Sequence, residues 1–230
     1  MSYDPRQHGA KCDSCPLNIH EGPVPPETTQ QARIAAVGDV PGEHEIREGR
    51  PFVGPAGSIL TQTALRAGLK RTHVHWTNVC LCRPPENDMG RFLEMLRKSN
   101  RQIEKENRAR KKVDKDATLQ PLIPTPMDCC APRLWKELEP FQHILTLGGT
   151  AAKKLISNSI SVMAIRGGPT EIERDGRILK ILPTVHPSFV MHAKRWTHVF
   201  RHDVQRAARW YRGELGWEPP QILYHPDAAT

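Results

Sequence analysis

Apolar residues fall along this chain in short runs separated by longer amphipathic stretches, a rhythm that predicts strands alternating with helices. RIAAVGD (33–39) is a short apolar run ending near a glycine, the pattern of a buried strand. SILTQTALRAG (58–68) carries apolar residues at helical spacing, with Gly68 where a C-terminal cap belongs. HVHWTNV (73–79) reads as a second strand, FQHILTLG (141–148) as a third, and ILKILPTVHP (178–187) as a fourth. GTAAKKLIS (149–157) reads as a helix opened by glycine, and THVFRHDVQRAARWYRGEL (197–215) as a closing helix. The order predicts an α/β fold of three layers, α/β/α, around a four-stranded, mostly parallel sheet. Ligands of such sheets bind outside the carboxyl ends of the strands. Three segments of unusual composition fall there: GDVPGEHEIREGRPFVGPAG (38–57), TNVCLCRPPEN (77–87) and HPSF (186–189).

Residues 88–128 interrupt the rhythm. RFLEMLRKSNRQIEKENRARKKVDKD has a helical pattern, with Phe92, Met95, Leu96 and Ile103 on roughly one face, and it ends in a basic cluster before the Pro-rich LQPLIPTPMD. This predicts an exposed basic helical insertion in a single domain over 1–215, followed by a tail over 216–230.

Charge sharpens the picture. Lys and Arg number 33 against 25 Asp and Glu, a net charge of +8 with His neutral, which makes nucleic acid the first partner to test. No run approaches the ~18 apolar residues of a membrane span, and MSYDPRQHGAKC has no apolar core of a secretory signal. The expectation is a soluble, cytoplasmic monomer without a membrane partner.

The six cysteines fall as CDSC (12–15), CLC (80–82) and CC (129–130). A reducing compartment argues against a disulfide framework, and thiolates in this layout suit zinc or an iron–sulfur cluster. On a strand, residues 80 and 82 face the same way, so spacing alone does not choose between them. Cys80 and Cys129, the surplus pair, read as small buried hydrophobes.

Taken together, GDVPGEHEIREGRPFVGPAG, TNVCLCRPPEN, LGGTAAKKL and HPSFV, framed by CDSC and CCAP, resemble the iron–sulfur uracil-DNA glycosylases of the family 4 type. The resemblance covers nearly the whole chain except 88–128 and the tail. It implies a four-stranded parallel sheet flanked by helices, a 4Fe–4S cluster held by Cys12, Cys15, Cys82 and Cys130 (zinc is the alternative), and excision of uracil from DNA. Two departures stand out. Gly38-Asp39 replaces the family's usual Gly-Glu, and the segment between the last two cluster cysteines is longer. A related class with a long insertion there carries a histidine that captures the sugar; 88–128 contains none, which favours turnover.

The residue types suit that chemistry. A base must leave the stack and enter a pocket before its glycosidic bond is cut. Phe52 supplies a stacking face, with a plain core role as the competing reading. Asn78 offers a donor and an acceptor to the edge of uracil. His186 stabilises the charge that develops on uracil O2. Asp39 and Glu45 are candidates to position water or stabilise the sugar cation. Gly38, Gly42, Gly54 and Gly57 let backbone pass close to the nucleotide. Ser188 bonds a phosphate, and Phe189, Val190 or Met191 wedges into the vacated stack. A non-catalytic binder of uracil-containing or single-stranded DNA, supported only by Asp39, is the second reading, and a zinc-ribbon-like interaction protein the third.

Overall fold

The computed structural model describes residues 3–214; the tail expected at 216–230 lies outside the described residues. The fold is α/β, built on a five-stranded sheet in the order β2-β1-β3-β5-β4. The strands are β1 (Ile34–Gly38), β2 (Val74–Asn78), β3 (His143–Leu147), β4 (Thr170–Arg174) and β5 (Arg177–Thr184). β1 pairs parallel with β3 from Ile34 opposite His143, and β3 pairs parallel with β5 from His143 opposite Lys180. All five residues of β1 are buried, as expected of a strand covered on both faces.

The sheet has one strand more than the sequence pattern predicts. β4 runs antiparallel to β5, joined through Asp175 (φ 51°) and Gly176 (φ 73°). Two consecutive positive φ angles on Asp-Gly make the tight hairpin turn whose twist matches its strands. TEIER is half-exposed and polar, so an apolar-run criterion passes over it; the Asp-Gly pair is the signal that finds it.

Two compact units divide the described chain: 3–27, 39–54 and 77–140 form the first, and 28–38, 55–76 and 141–214 the second. In the second, α2 (Pro55–Arg66) follows β1, α5 (Gly149–Leu155) and α6 (Val162–Ile165) connect β3 towards β5, and α7 (Pro187–His192) and α8 (Thr197–Tyr211) close the chain. Sheet order reverses direction at β1, so right-handed crossovers put α2 and α5 on opposite faces. α2, α7 and α8 pack together, while α5 packs on β1 and β3. α8 buries Phe200, Val204, Ala207 and Ala208, a helical stripe. Gly167 (φ 70°) lies so close to Asp203 that a Cβ there would stand 2.5 Å from its Oδ1. The buried Asp203 accepts from Thr184 at 2.7 Å and from Arg166 at 3.0 Å.

The first unit is mainly loops and three helices: α1 (Glu43–Glu48), α3 (Met89–Val113) and α4 (Pro126–Leu138). Asp88 caps α3 by accepting from the Arg91 N–H at 2.8 Å, and Thr125 caps α4 by accepting from the Asp128 N–H. α3 confirms a helix in the interrupting segment but corrects its packed face. Phe92 and Leu96 are buried, whereas Met95 is 53% exposed. Leu17, Phe92 and Leu96 form a small core on which Cys15, Cys82, Leu93 and Ile123 pack. Further along, Asn100 exchanges two hydrogen bonds with the Ile123 backbone, and Asn107 two with Gln120, each at 2.8–2.9 Å. Seven helical residues rise about 10.5 Å, and three extended residues span about 10 Å, so the two amides match the returning strand in register. No helix among the described residues is long and apolar enough to cross a membrane.

Candidate functional site

The glycine-rich loop after β1 is organised around Glu45. Gly42 is the N-cap of α1, and its N–H donates to Glu45 Oε2 at 3.0 Å, while the N–H groups of Val53 and Gly54 donate to Oε1 at 3.0 and 2.7 Å. Both carboxylate oxygens are therefore occupied by backbone, and the two ends of the loop are tied together. The sequence reading had Gly42 and Gly54 clearing a path for a nucleotide. In the structure a Cβ at Gly42 would stand 2.8 Å from Oε2 of Glu45, and one at Gly54 3.1 Å from Oε1, so the room these glycines leave is filled by that carboxylate. Arg50 pins the outer part of the loop to Glu27 through two bonds at 3.1 and 3.2 Å.

Phe52 lies on this loop with φ 56° and only 6% exposure. A bulky residue in the left-handed region costs about 1–3 kcal/mol and persists only where its surroundings impose it. Core packing alone does not require that conformation; the Glu45 clamp on Val53 and Gly54, the next residues, supplies the constraint.

Asp39 follows Gly38, the last residue of β1, and its carbonyl accepts from the Cys80 N–H at 3.1 Å. Asn78 ends β2 and is buried. Beneath it lies a residue that reading the sequence missed. Arg133 on α4 is completely buried and donates from Nη2 to the carbonyls of Asn78 and Val79 at 2.8 and 2.9 Å. Its Nη1 donates to Thr77 Oγ1 at 3.0 Å and Glu137 Oε2 at 2.8 Å, and the Tyr3 hydroxyl donates to Glu137 Oε1 at 2.8 Å. A buried cation needs a carboxylate and acceptors, and Glu137 with the end of β2 supplies them to the two Nη atoms. The only sequence signal is Arg133 and Glu137 four apart on a helix that is otherwise apolar on that face.

The cysteines collect in the same unit. Cys12, Cys15, Cys82, Cys129 and Cys130 line one small cavity with Pro5, Ala10 and Leu81. None of the six is disulfide-bonded. Cys80 is absent from that lining. Its S–H donates to Cys130, and this bond, with the charge of Arg133, holds Cys130 down to about 6 against its own burial. Burial pushes Cys15 and Cys82 up to about 12. Cys129 stays beside Cys130 in the ring and lies 4.0 Å from Ser14 Oγ, so the structure leaves both in reach of a bound group. Among the described residues no three or more His, Cys, Asp or Glu side chains gather around a single-ion position. Thiols around a small void, with Pro5, Ala10, Leu81 and Asn18 between them, fit an iron–sulfur group, and zinc takes the same donors.

In the second unit, His186 is the N-cap of α7, directly after β5 and Val185. Its Nδ1 accepts from the Ser188 N–H at 3.2 Å and lies 2.6 Å from Ser188 Oγ. An acceptor at Nδ1 puts the ring proton of the neutral imidazole on Nε2, making that atom the donor. Ser188 thus holds His186 in one tautomer, a task the sequence reading did not give it. Phe189 and Met191 on α7 are exposed, while Val190 is buried, which leaves the first two as the wedge candidates. Phe189 packs against Trp196 with ring centroids 5.9 Å apart. A surface groove of about 490 Å³, lined by Pro85, Arg91, Phe92 and Met95 among others, holds none of the candidate residues.

Comparison with known proteins identifies the family. The family model described as the Uracil DNA glycosylase superfamily matches residues 25–209. A "Type-4 uracil-DNA glycosylase" of Thermotoga maritima is 28% identical over 212 residues, covering 89% of this chain and 91% of that protein. The protein of the same name from Archaeoglobus fulgidus is 27% identical over 202 residues, 85% of each chain. One from Pyrobaculum aerophilum is 46% identical over 77 residues, covering 33% of this chain and 39% of its own length. With the α/β sheet, the strand-end asparagine and histidine, and a family match spanning most of its length, this chain belongs to the uracil DNA glycosylase superfamily.

Proposed function

We propose that the protein, acting as a monomer, hydrolyses the N-glycosidic bond of a flipped uracil in DNA and leaves an abasic site. Family membership and the activity named for its relatives support this reading. The observation that carries it is the His186 tautomer, because an Nε2–H donor at a strand end is the group that a departing uracilate requires.

The residues divide the work as follows. Phe52 stacks on the extruded base. The Asn78 side-chain amide accepts from uracil N3–H and donates to O4; cytosine presents N3 as an acceptor and an amino group as a donor, so the same amide is mismatched. As the C1′–N1 bond breaks, its electron pair goes to the base and the charge on O2 is met by the Nε2–H of His186. Asp39 orients the water whose oxygen bonds to C1′ as one of its protons passes to solvent, and the carboxylate offsets the sugar's developing positive charge. Glu45 acts through the loop it ties, as a positioning residue for Phe52. Gly38 carries the backbone past the nucleotide, Gly42 makes room for the Glu45 carboxylate, and Ser188 positions His186. Cys12, Cys15, Cys82 and Cys130 would hold a 4Fe–4S cluster, which supplies a structural tie between the 12–15 segment and α4 and needs no redox role in this reaction.

The test is excision on a panel of oligonucleotides carrying single-stranded U, U·A, U·G and T·G, with purified iron-loaded protein. Release of uracil from the uracil substrates is expected. His186→Ala should lower kcat by about 10²–10³ while binding to the same DNA changes little. Tight binding of uracil DNA without release by the parent protein would replace this reading with the non-catalytic binder.

A further inference from the structure

The chain's positive charge is concentrated on one element. α3 carries nine Lys and Arg against three Glu, a net +6 of the chain's +8, so everything else is close to neutral. The cations are arranged, too. Arg97, Arg101, Lys105, Arg108 and Lys112 follow one another at intervals of four, four, three and four residues, which is a single ridge on a helix. All five are exposed. They lie opposite the face that Phe92, Leu96, Asn100 and Asn107 turn toward the rest of the first unit.

Two observations separate this ridge from an ordinary solvated surface. First, none of the five forms an ion pair among the described residues; Glu94 is engaged by Lys98 and Glu106 by Gln102, which leaves Glu104 as the remaining acid of the helix. Like charges at i,i+4 destabilise a helix, and the ridge contains three such pairs in succession or near it: 97/101, 101/105 and 108/112. A helix selected only for solubility would alternate signs. Second, the helix is fastened. Its first half is rooted in the Leu17 core beside Cys15 and Cys82, and its second half is held by the paired amide bonds of Asn100 and Asn107 to 120–123. A rigid mount keeps the five cations in line over about 22 Å.

We propose that this ridge is an arm for the nucleic-acid phosphate backbone, engaging about six or seven nucleotides of one strand at 3.4 Å per nucleotide. It rests on the glycosylase reading only in naming DNA as the polyanion. The basic end that the sequence offers, Lys111 with Lys112, is not the unit of recognition, since Lys111 faces away from the ridge by about a quarter-turn.

The experiment replaces Arg97, Arg101, Lys105, Arg108 and Lys112 by Gln in the full, iron-loaded chain and measures binding to uracil-free single-stranded and duplex 20-mers across a salt series. The slope of log K against log[salt] should become shallower by about 3–4, following 0.7–0.9 per neutralised phosphate contact, with at least a tenfold affinity loss at low salt. A control with the same charge change made at Lys70, Lys136, Lys153, Arg174 and Arg209 should keep most of the slope. Arg101→Glu with Lys105→Glu and Arg108→Glu, at parental helix content by circular dichroism, should weaken binding further. An unchanged slope, an equal loss in the control, or a defect confined to phosphatidylserine vesicles would each overturn the arm. Uracil release at saturating enzyme is scored separately. A parent protein that binds with the steep slope but releases no uracil sinks the glycosylase reading and leaves the arm standing.

Discussion

Glu45 accepts three backbone N–H groups from two places in its loop, so its carboxylate works as a buckle. Hydrogen bonds to a charged acceptor are each worth about 1.5–3 kcal/mol, enough in sum to hold Phe52 in a conformation that costs about 1–3 kcal/mol. Glu45→Gln keeps the shape but turns an NH2 toward one of the donors it must satisfy. The expected result is a stability loss of about 1–3 kcal/mol by urea unfolding, with uracil release falling mainly through kcat. A variant with the parent's kcat would show that the buckle is not needed to present Phe52. The sequence displayed the loop's glycines but not their purpose. Room for a Cβ is a property of what packs beside it, and Glu45 reads in one dimension as any solvated carboxylate. Ser188 is a similar case, since its bond to His186 spans two residues but depends on the helix cap that only the folded turn provides.

α3 shows what helical period conveys and what it leaves out. A 25-residue helix is plain in the pattern, and Phe92 with Leu96 marks its buried stripe. Met95 was grouped with them, but it lies off the face on which Phe92 and Leu96 meet Leu17 and stays in solvent. Beyond Leu96 the packed face continues in polar residues, which hydrophobic periodicity does not register. Asn107→Ala leaves Gln120 with an unpaired donor and acceptor at the helix's outer half. We expect a loss of about 1–2 kcal/mol and faster amide hydrogen exchange over 104–122, with no change over β1 or β3. Uniform acceleration over the whole protein would mean that the ladder does not act locally.

On the scale of the whole molecule, the cysteine ring and the buried Arg133 network meet at α4, which carries Cys129, Cys130, Arg133 and Glu137 within nine residues. Loss of the proposed cluster should therefore be felt at the end of β2 as well as at the cysteines. Cys82→Ser is expected to abolish visible absorption near 400 nm, to lower stability by more than about 2 kcal/mol, and to reduce discrimination between uracil and cytosine through Asn78. Colourless protein with stoichiometric zinc and intact stability would point to a different metal. The order of strands and helices and the identity of the motifs were decided along the chain, because each rests on residue type and local period. The fifth strand was signalled there too, by Asp175-Gly176. Which carboxylate ties the loop, which arginine holds Asn78, which thiols share a cavity and which cations form a ridge were decided only on folding. Those relations depend on burial, on which face of a helix is packed and on hydrogen-bond geometry, which exist only once the chain has packed.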